Sequence, residues 1–183
     1  DFYDDTYSMK GNSDLDSFMI NFGLEYKQLY LRVMSDRYTL TQRDIFFVNA
    51  PYPVEQKFNS DFVNIKYNYQ VNESLTLTPE FTLKRQRPWL SNGQNVRDLE
   101  ALDPDSYAGQ FFDEKLQRTT MKLVGSYDFN ETDNLVFGVS QYEDEDKTIN
   151  FSYDSTAVFA QGLISSEWGN WTIGGRWEDN SEV

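Results

Sequence analysis

The chain contains no histidine and no cysteine, so imidazole and thiolate chemistry are closed to it. A serine–histidine triad, a histidine metal site and a thiol nucleophile each lack their central group. What remains are carboxylates and glycines. Asp98, Glu100, Asp103 and Asp105 cluster in one polar stretch, and Glu143-Asp144-Glu145-Asp146 run consecutively in another. Oxygen ligands of this kind suit Ca²⁺, but neither spacing follows an EF-hand loop, and the plainer reading is two solvated loops. Gly174-Gly175 resembles a phosphate loop only superficially, because it lies inside a strand pattern with no helix after it to supply the N–H cradle. No catalytic residue, metal or cofactor is expected, and the chain does not read as an enzyme.

Charge narrows the partners. Of 183 residues, 30 are acidic and 16 basic, a net charge of -14, and the basic ones are scattered among carboxylates. Phosphate neutralisation needs clustered Lys and Arg, so no nucleic-acid partner is expected. Nothing approaches the roughly 18 consecutive apolar residues of a membrane-spanning helix. The opening Asp1-Phe2-Tyr3-Asp4-Asp5 does not resemble a signal peptide. A membrane β-strand escapes these tests, because only alternate residues meet lipid and mean hydropathy stays low. Absence of cysteine is compatible with passage through an oxidising compartment.

The elements that would position any functional side chain are strands. Apolar and polar residues alternate with period two over segments of about ten residues, the reach a tilted strand needs to cross hydrocarbon. Phe18, Ile20, Phe22, Leu24 and Tyr26 oppose Met19, Asn21, Gly23 and Glu25; after a Lys27-Gln28 turn, Leu29, Leu31 and Val33 oppose Tyr30, Arg32 and Met34. Val63 to Val71 and Leu75 to Leu83 repeat the scheme around Asn72-Glu73-Ser74, with Pro79 expected to mark an irregularity because it cannot donate a ladder hydrogen bond. A third pair turns at Asn130 to Asn134. In the fourth, a two-residue Gly169-Asn170 turn is expected to set Trp168 directly across from Trp171. The expected strands are 17–26, 29–38, 62–71, 75–86, 116–129, 135–142, 157–168 and 171–178, eight in four hairpins forming one unit over 1–183. Long polar connections are expected at 39–60, 88–114 and 143–155.

Short turns at one end and long loops at the other match a transmembrane barrel with periplasmic turns and external loops. Tyr26, Tyr69, Phe129, Trp168 and Trp171 all fall beside short turns, as an aromatic girdle at the headgroup level would. Lys66, Glu80, Lys84, Arg118, Lys122, Arg176 and Glu178 fall on the opposite face. That many charges suit a hydrated interior, since burying unpaired ions in a dry core costs several kcal/mol each, on the order of magnitude found for such ions. The fold class expected is all-β, antiparallel and up-and-down: transmembrane β-barrel strands forming part of a larger barrel.

Ala157-Val158-Phe159-Ala160-Gln161, followed by Trp171-Thr172-Ile173-Gly174-Gly175-Arg176-Trp177-Glu178, resembles a hairpin recurrent in TonB-dependent outer-membrane receptors, in which a "FAQ" strand leads through a short turn to a "GGR-aromatic-E" strand. The resemblance implies localisation in the bacterial outer membrane and energy-coupled import of a scarce solute such as a siderophore, metal chelate, vitamin or saccharide. It further implies contact with outer-membrane lipid, with the rest of the barrel and with the imported small molecule, and with TonB only through a plug region that this sequence lacks. No TonB box and no closing strand with a terminal aromatic residue is found, so the chain reads as a middle portion of the barrel. Ligand contacts in such receptors come from external loops and the upper wall, which points to Arg43, Phe46, Phe47, Tyr52, Trp89, Arg97, Tyr107, Phe111 and Phe112. Loop aromatics also commonly pack a loop on itself. Two further readings stay open: a complete eight-stranded barrel with a structural or adhesive role, and a soluble β-sandwich binding module.

Overall fold

Alternation dictates strands, and strands are what form. The computed structural model describes residues 10, 14–45, 48–90 and 113–182, and for residues 14, 41–45, 48–55, 89 and 182 it describes the backbone alone. Among them lie nine strands and no helix: β1 Asp14–Tyr26, β2 Leu29–Ile45, β3 Val48–Tyr67, β4 Tyr69–Gln70, β5 Leu75–Leu90, β6 Leu116–Asp128, β7 Asn134–Asp146, β8 Phe151–Ser166 and β9 Gly169–Glu182. They form a single antiparallel up-and-down sheet in the order β1-β2-β3-β5-β6-β7-β8-β9, with β4 pairing β5. The path has two ends, and the pairing order does not join them.

The strand count differs from the expected eight because the third strand is interrupted at Asn68. β4 resumes at Tyr69, opposite Leu77, with Gln70 opposite Thr76. Extending that register brings Pro79 against Tyr67, one residue from the break, which is where a missing donor should weaken the ladder. Asn68 compensates on both sides: its N–H donates to the Gln28 carbonyl at 2.9 Å and its side-chain oxygen accepts from the Thr78 hydroxyl at 3.1 Å.

Two of the expected long loops are mostly strand. β2 runs on to Ile45 and β3 begins at Val48, so 39–60 is nearly all ladder; β7 runs to Asp146 and β8 starts at Phe151, so 143–155 shrinks to a four-residue turn. In the third, β5 continues to Leu90, and residues 91–112 lie outside the described residues. The physical reason is that backbone pairing needs no apolar face. Beyond the greasy segment, cross-strand polar pairs hold the ladder instead, as where Arg118 stands opposite Asp144 and Gln117 opposite Glu145.

The chain divides into two compact units: Asp1–Ile20, Ser35–Ser60 and Gln86–Lys115 form one, and Asn21–Met34, Asp61–Arg85 and Leu116–Val183 the other. In the first, Tyr38 and Phe58 meet edge-to-face at 5.4 Å, Arg37 donates to the Ser60 carbonyl at 3.2 Å, and Asp113 pairs with Arg87 at 2.5 Å and Lys115 at 3.4 Å.

In the second, register sorts side chains onto two faces. Leu123, Val139, Val158 and Trp177 form one cross-strand row, and Tyr127, Leu135, Gly162 and Ile173 another. Among the described residues this apolar face is exposed: Met121 is 57% exposed, Trp177 60% and Ile173 66%. Among the described residues only Leu90 and Ala157 are buried hydrophobics.

Short turns gather beside one another in this unit. Lys27 takes a left-handed φ of 54° in the first. Asn72 Oδ1 accepts from the N–H groups of Ser74 and Leu75, and Asn130 Oδ1 from those of Thr132 and Asp133. These are side-chain mimics of a backbone turn. Asp128 N–H donates to the Ser74 carbonyl at 2.8 Å and Ser165 N–H to Asp133 Oδ1 at 2.7 Å, tying neighbouring turns together. The last turn differs from expectation. Ser166 pairs with Gly169 and Ile164 with Trp171, so Glu167-Trp168 forms the turn and Trp168 projects from its tip, 91% exposed, rather than facing Trp171. Gly169 decides this, because it takes a φ of 132° that L side chains rarely adopt. The Ser166 hydroxyl completes the turn by donating to the Gly169 carbonyl at 2.9 Å. The two-residue displacement preserves which face each β9 side chain occupies, since the side-chain period is two.

Candidate functional site

The polar face of the second unit carries the groups that could hold a ligand. Its rows run Arg118–Asp144–Tyr153, then Thr120–Tyr142–Ser155–Asn180, then Lys122–Ser140–Ala157–Glu178, then Val124–Gly138–Phe159–Arg176. The charges assigned by alternation to one face do share it along β6 to β9: Arg118, Lys122, Arg176 and Glu178. Lys66, on β3, lies 5.4 Å from the centre of the Tyr30 ring.

Most of these charges are matched by neighbours. Arg118 grips Asp144 with two nitrogens, its Nε donating at 2.6 Å, and its guanidinium lies 4.9 Å from the centre of the Tyr142 ring. Tyr142 and Tyr153 stand 6.1 Å apart, tilted by 42°. Glu178 accepts from the buried Ser155 hydroxyl at 2.6 Å and pairs with Arg176 at 3.0 Å. Asn64 donates to Glu80 at 2.7 Å and to Thr82 at 2.8 Å. The side chains so fixed are preorganised, and the wall they form is stiff.

Between them lies an open concavity of about 690 Å³ bordered by Glu80, Lys122, Ser140, Phe159, Gln161 and Arg176. Phe159 is the aromatic residue lining this concavity, beside Val124, and Gly138 makes room for it. A Cβ at Gly138 would lie 2.8 Å from the end of the Phe159 ring and 2.6 Å from the Leu123 carbonyl oxygen. The ring therefore lies over the glycine and lines the concavity from its floor. On the opposite face Phe137 covers Gly125 in the same manner. Such aromatic–glycine pairs across strands restore packing that the glycine lacks.

The "FAQ" and "GGR" segments are direct partners: Phe159 faces Arg176, Ala160 faces Gly175 and Gln161 faces Gly174. Gly174 sits close against the partner strand, since a Cβ there would meet the Ala160 carbonyl oxygen at 3.0 Å. It serves sheet packing.

Outside the strands two carboxyls are held below the ordinary range. Asp113 is lowered by its hydrogen bond from Arg87, against some desolvation. Asp133 is lowered by the Ser165 N–H and then by Asn130.

The ligand-contact residues expected from the sequence are not brought together in the described part. Arg43, Tyr52 and Trp89 fall on β2, β3 and β5, with their side chains outside the described residues; Phe46, Phe47, Arg97, Tyr107, Phe111 and Phe112 lie outside them altogether. Asp98, Glu100, Asp103 and Asp105 do too. The run Glu143 to Asp146 is part of β7 rather than a loop, so consecutive carboxyls point to opposite faces. Asp144 pairs with Arg118 and Glu145 with Lys147. Among the described residues no group of three or more such ligands could hold a metal ion. Sequence reasoning overlooked Tyr142, Tyr153 and Phe159. Their signal was a break in alternation, an aromatic ring where the period demands a polar residue.

No family model matches the chain, and no curated protein or solved structure is significantly similar to it.

Proposed function

We propose that this chain is a stretch of transmembrane β-hairpins in the wall of a bacterial outer-membrane barrel, belonging to a TonB-dependent receptor that binds and imports a scarce solute. The observation that carries the reading is the uncovered apolar face. Met121, Leu123, Val139, Val158, Ile173 and Trp177 share one side and stay 40% to 66% exposed, while the described residues bury only two hydrophobics. Apolar area left in water on this scale forfeits roughly 25 cal/mol per Å². Acyl chains as the surrounding solvent remove that cost.

Dimensions support it. The apolar side chains of this face run from Met121 on β6 to Phe129, the first residue beyond its end, roughly 27 Å of chain at about 3.4 Å per residue. A tilt of about 40° leaves roughly 20 Å of height, close to the ~25 Å apolar band of outer-membrane barrels. Tyr26, Tyr69, Phe129 and Trp171, each more than half exposed, then rim that band beside the turns. The import role rests on the hairpin of Phe159 to Gln161 with Gly174 to Glu178 and on the hydrated character of the opposite face. A soluble sandwich requires a second sheet over the apolar side, whereas the nine strands among the described residues belong to one sheet.

Spin labelling tests the membrane placement, and the absence of native cysteine makes single-cysteine variants clean. In vesicles of the intact protein, labels at 171, 173, 175 and 177 are expected to collide with oxygen, and labels at 172 and 174 with a water-soluble nickel reagent. Equal accessibility of odd and even positions would end the proposal.

A further inference from the structure

We propose that the concavity over Phe159 is a stacking subsite for a neutral saccharide ring, which, on the import reading above, makes the transported solute a carbohydrate. Three observations converge on that class of ligand. The first is the ring itself. Phe159 is half-buried, the end of its ring lies against Gly138, and the residue lines the concavity. A pyranose offers the complementary surface, an apolar face of C–H groups whose positive hydrogens seek the negative face of an aromatic ring.

The second is what surrounds the ring. Ser140 brings a hydroxyl that donates and accepts, Gln161 an amide with both functions, Glu80 an acceptor and Lys122 a donor. Hydroxyl groups around a sugar ring need that mixture of donors and acceptors at the edge of a stacking platform. Sites built to bond hydroxyl groups discriminate strongly, because an analogue lacking them leaves buried polar groups unpaired.

The third is charge. The cations of the concavity, Lys122 and Arg176, are offset by Glu80 and by Glu178, which holds Arg176 at 3.0 Å. A wall of no net charge gives no advantage to a polyanionic ligand such as a ferric catecholate or a phosphate ester. It suits an uncharged polyol. The volume, about 690 Å³, falls in the range of small-molecule sites, roughly 300–1,000 Å³.

The test uses the intact protein in detergent micelles, titrated by calorimetry with neutral hexasaccharides of glucose, galactose, xylose and mannose and, separately, with a ferric tris-catecholate. At least one hexasaccharide is expected to bind. Phe159→Leu should weaken it at least tenfold, Phe159→Tyr should restore it to within threefold, and Gln161→Ala should weaken it independently. Saturation-transfer NMR should mark the C–H face of the sugar ring in the parent protein and lose that contrast in Phe159→Leu. Lack of binding by every hexasaccharide, or binding that Phe159→Leu leaves unchanged in a correctly inserted protein, overturns the subsite. The spin-label pattern separates the two proposals: odd–even contrast retained without sugar binding overturns the saccharide subsite alone, and loss of the contrast overturns the membrane reading beneath it.

Discussion

Ile173→Arg places the central physical claim at greatest risk. Ile173 lies on the apolar face of β9, two residues beyond Trp171 and four before Trp177, opposite Gly162, and is 66% exposed. If that face meets water, arginine there should cost less than about 1 kcal/mol, the span of strand propensities at exposed sites. If it meets acyl chains, the position lies inside the apolar band between its rim at Trp171 and its middle, and a cationic side chain there costs roughly 1–3 kcal/mol, between the interface and midplane values. That is a shift of roughly 5- to 140-fold in the folding equilibrium, at about 1.4 kcal/mol per factor of ten. Thr172→Arg is the internal control. It adds the same charge one residue away, on the opposite face, where Thr172 pairs with Leu163, and should cost less than about 1 kcal/mol. The assay is urea-dependent folding of the intact protein into phospholipid vesicles, followed by tryptophan emission. Equal shifts for the two variants would refute the assignment of the apolar face to lipid, whatever their absolute size.

Gly138→Ala should cost about 1–3 kcal/mol, the usual penalty of overpacking, because its Cβ would lie 2.6 Å from the Leu123 backbone oxygen; Gly125→Ala should cost less, because it meets only the movable Phe137 ring. Urea midpoints of the two variants check that order. A double-mutant cycle on Arg118 and Asp144 should give a coupling below about 1 kcal/mol, since the Arg118 side chain is 54% exposed; a much larger value would mean the pair sits in a drier place than its exposure indicates. Asp133 has a lowered folded-state pKa, so its bond from Ser165 stabilises the turns above the ordinary value of 3.8 and is lost as pH falls through the lower folded value. Exchange of the Ser165 amide should therefore accelerate, beyond its intrinsic trend, only in that acid window, and Asp133→Asn should remove the dependence.

Much of the fold could be read from the residues. The faces of β6 to β9 agree with the alternation position by position, because period two leaves each side chain only two directions. The tight turn at Asn72 to Ser74 follows from local chemistry, an asparagine that accepts the turn's own N–H groups, whereas at Lys27-Gln28 a lysine takes a left-handed backbone that its residue type does not favour. Expectation failed where hydrophobicity was taken to mark the ends of strands. β2, β3, β7 and β8 all continue through polar residues, since ladder bonds and pairs such as Gln117–Glu145, at 2.8 Å, stabilise them without any apolar face.

The candidate site was less legible. Phe159, Tyr142 and Tyr153 each violate the alternation, and a single violation in one strand is indistinguishable from noise. Their meaning depends on which residue stands opposite, and that is a property of register.

By itself, then, the sequence determined an all-β chain, the division of its side chains into an apolar and a polar face, and the absence of imidazole and thiol chemistry, because these depend on composition and on a period set by covalent geometry. Only the tertiary structure decided that Phe159 would lie over Gly138, that Glu178 would hold both Ser155 and Arg176, and that a concavity would open beside them. Those contacts join residues up to tens of positions apart, and strand register, which no local pattern encodes, is what brings them together.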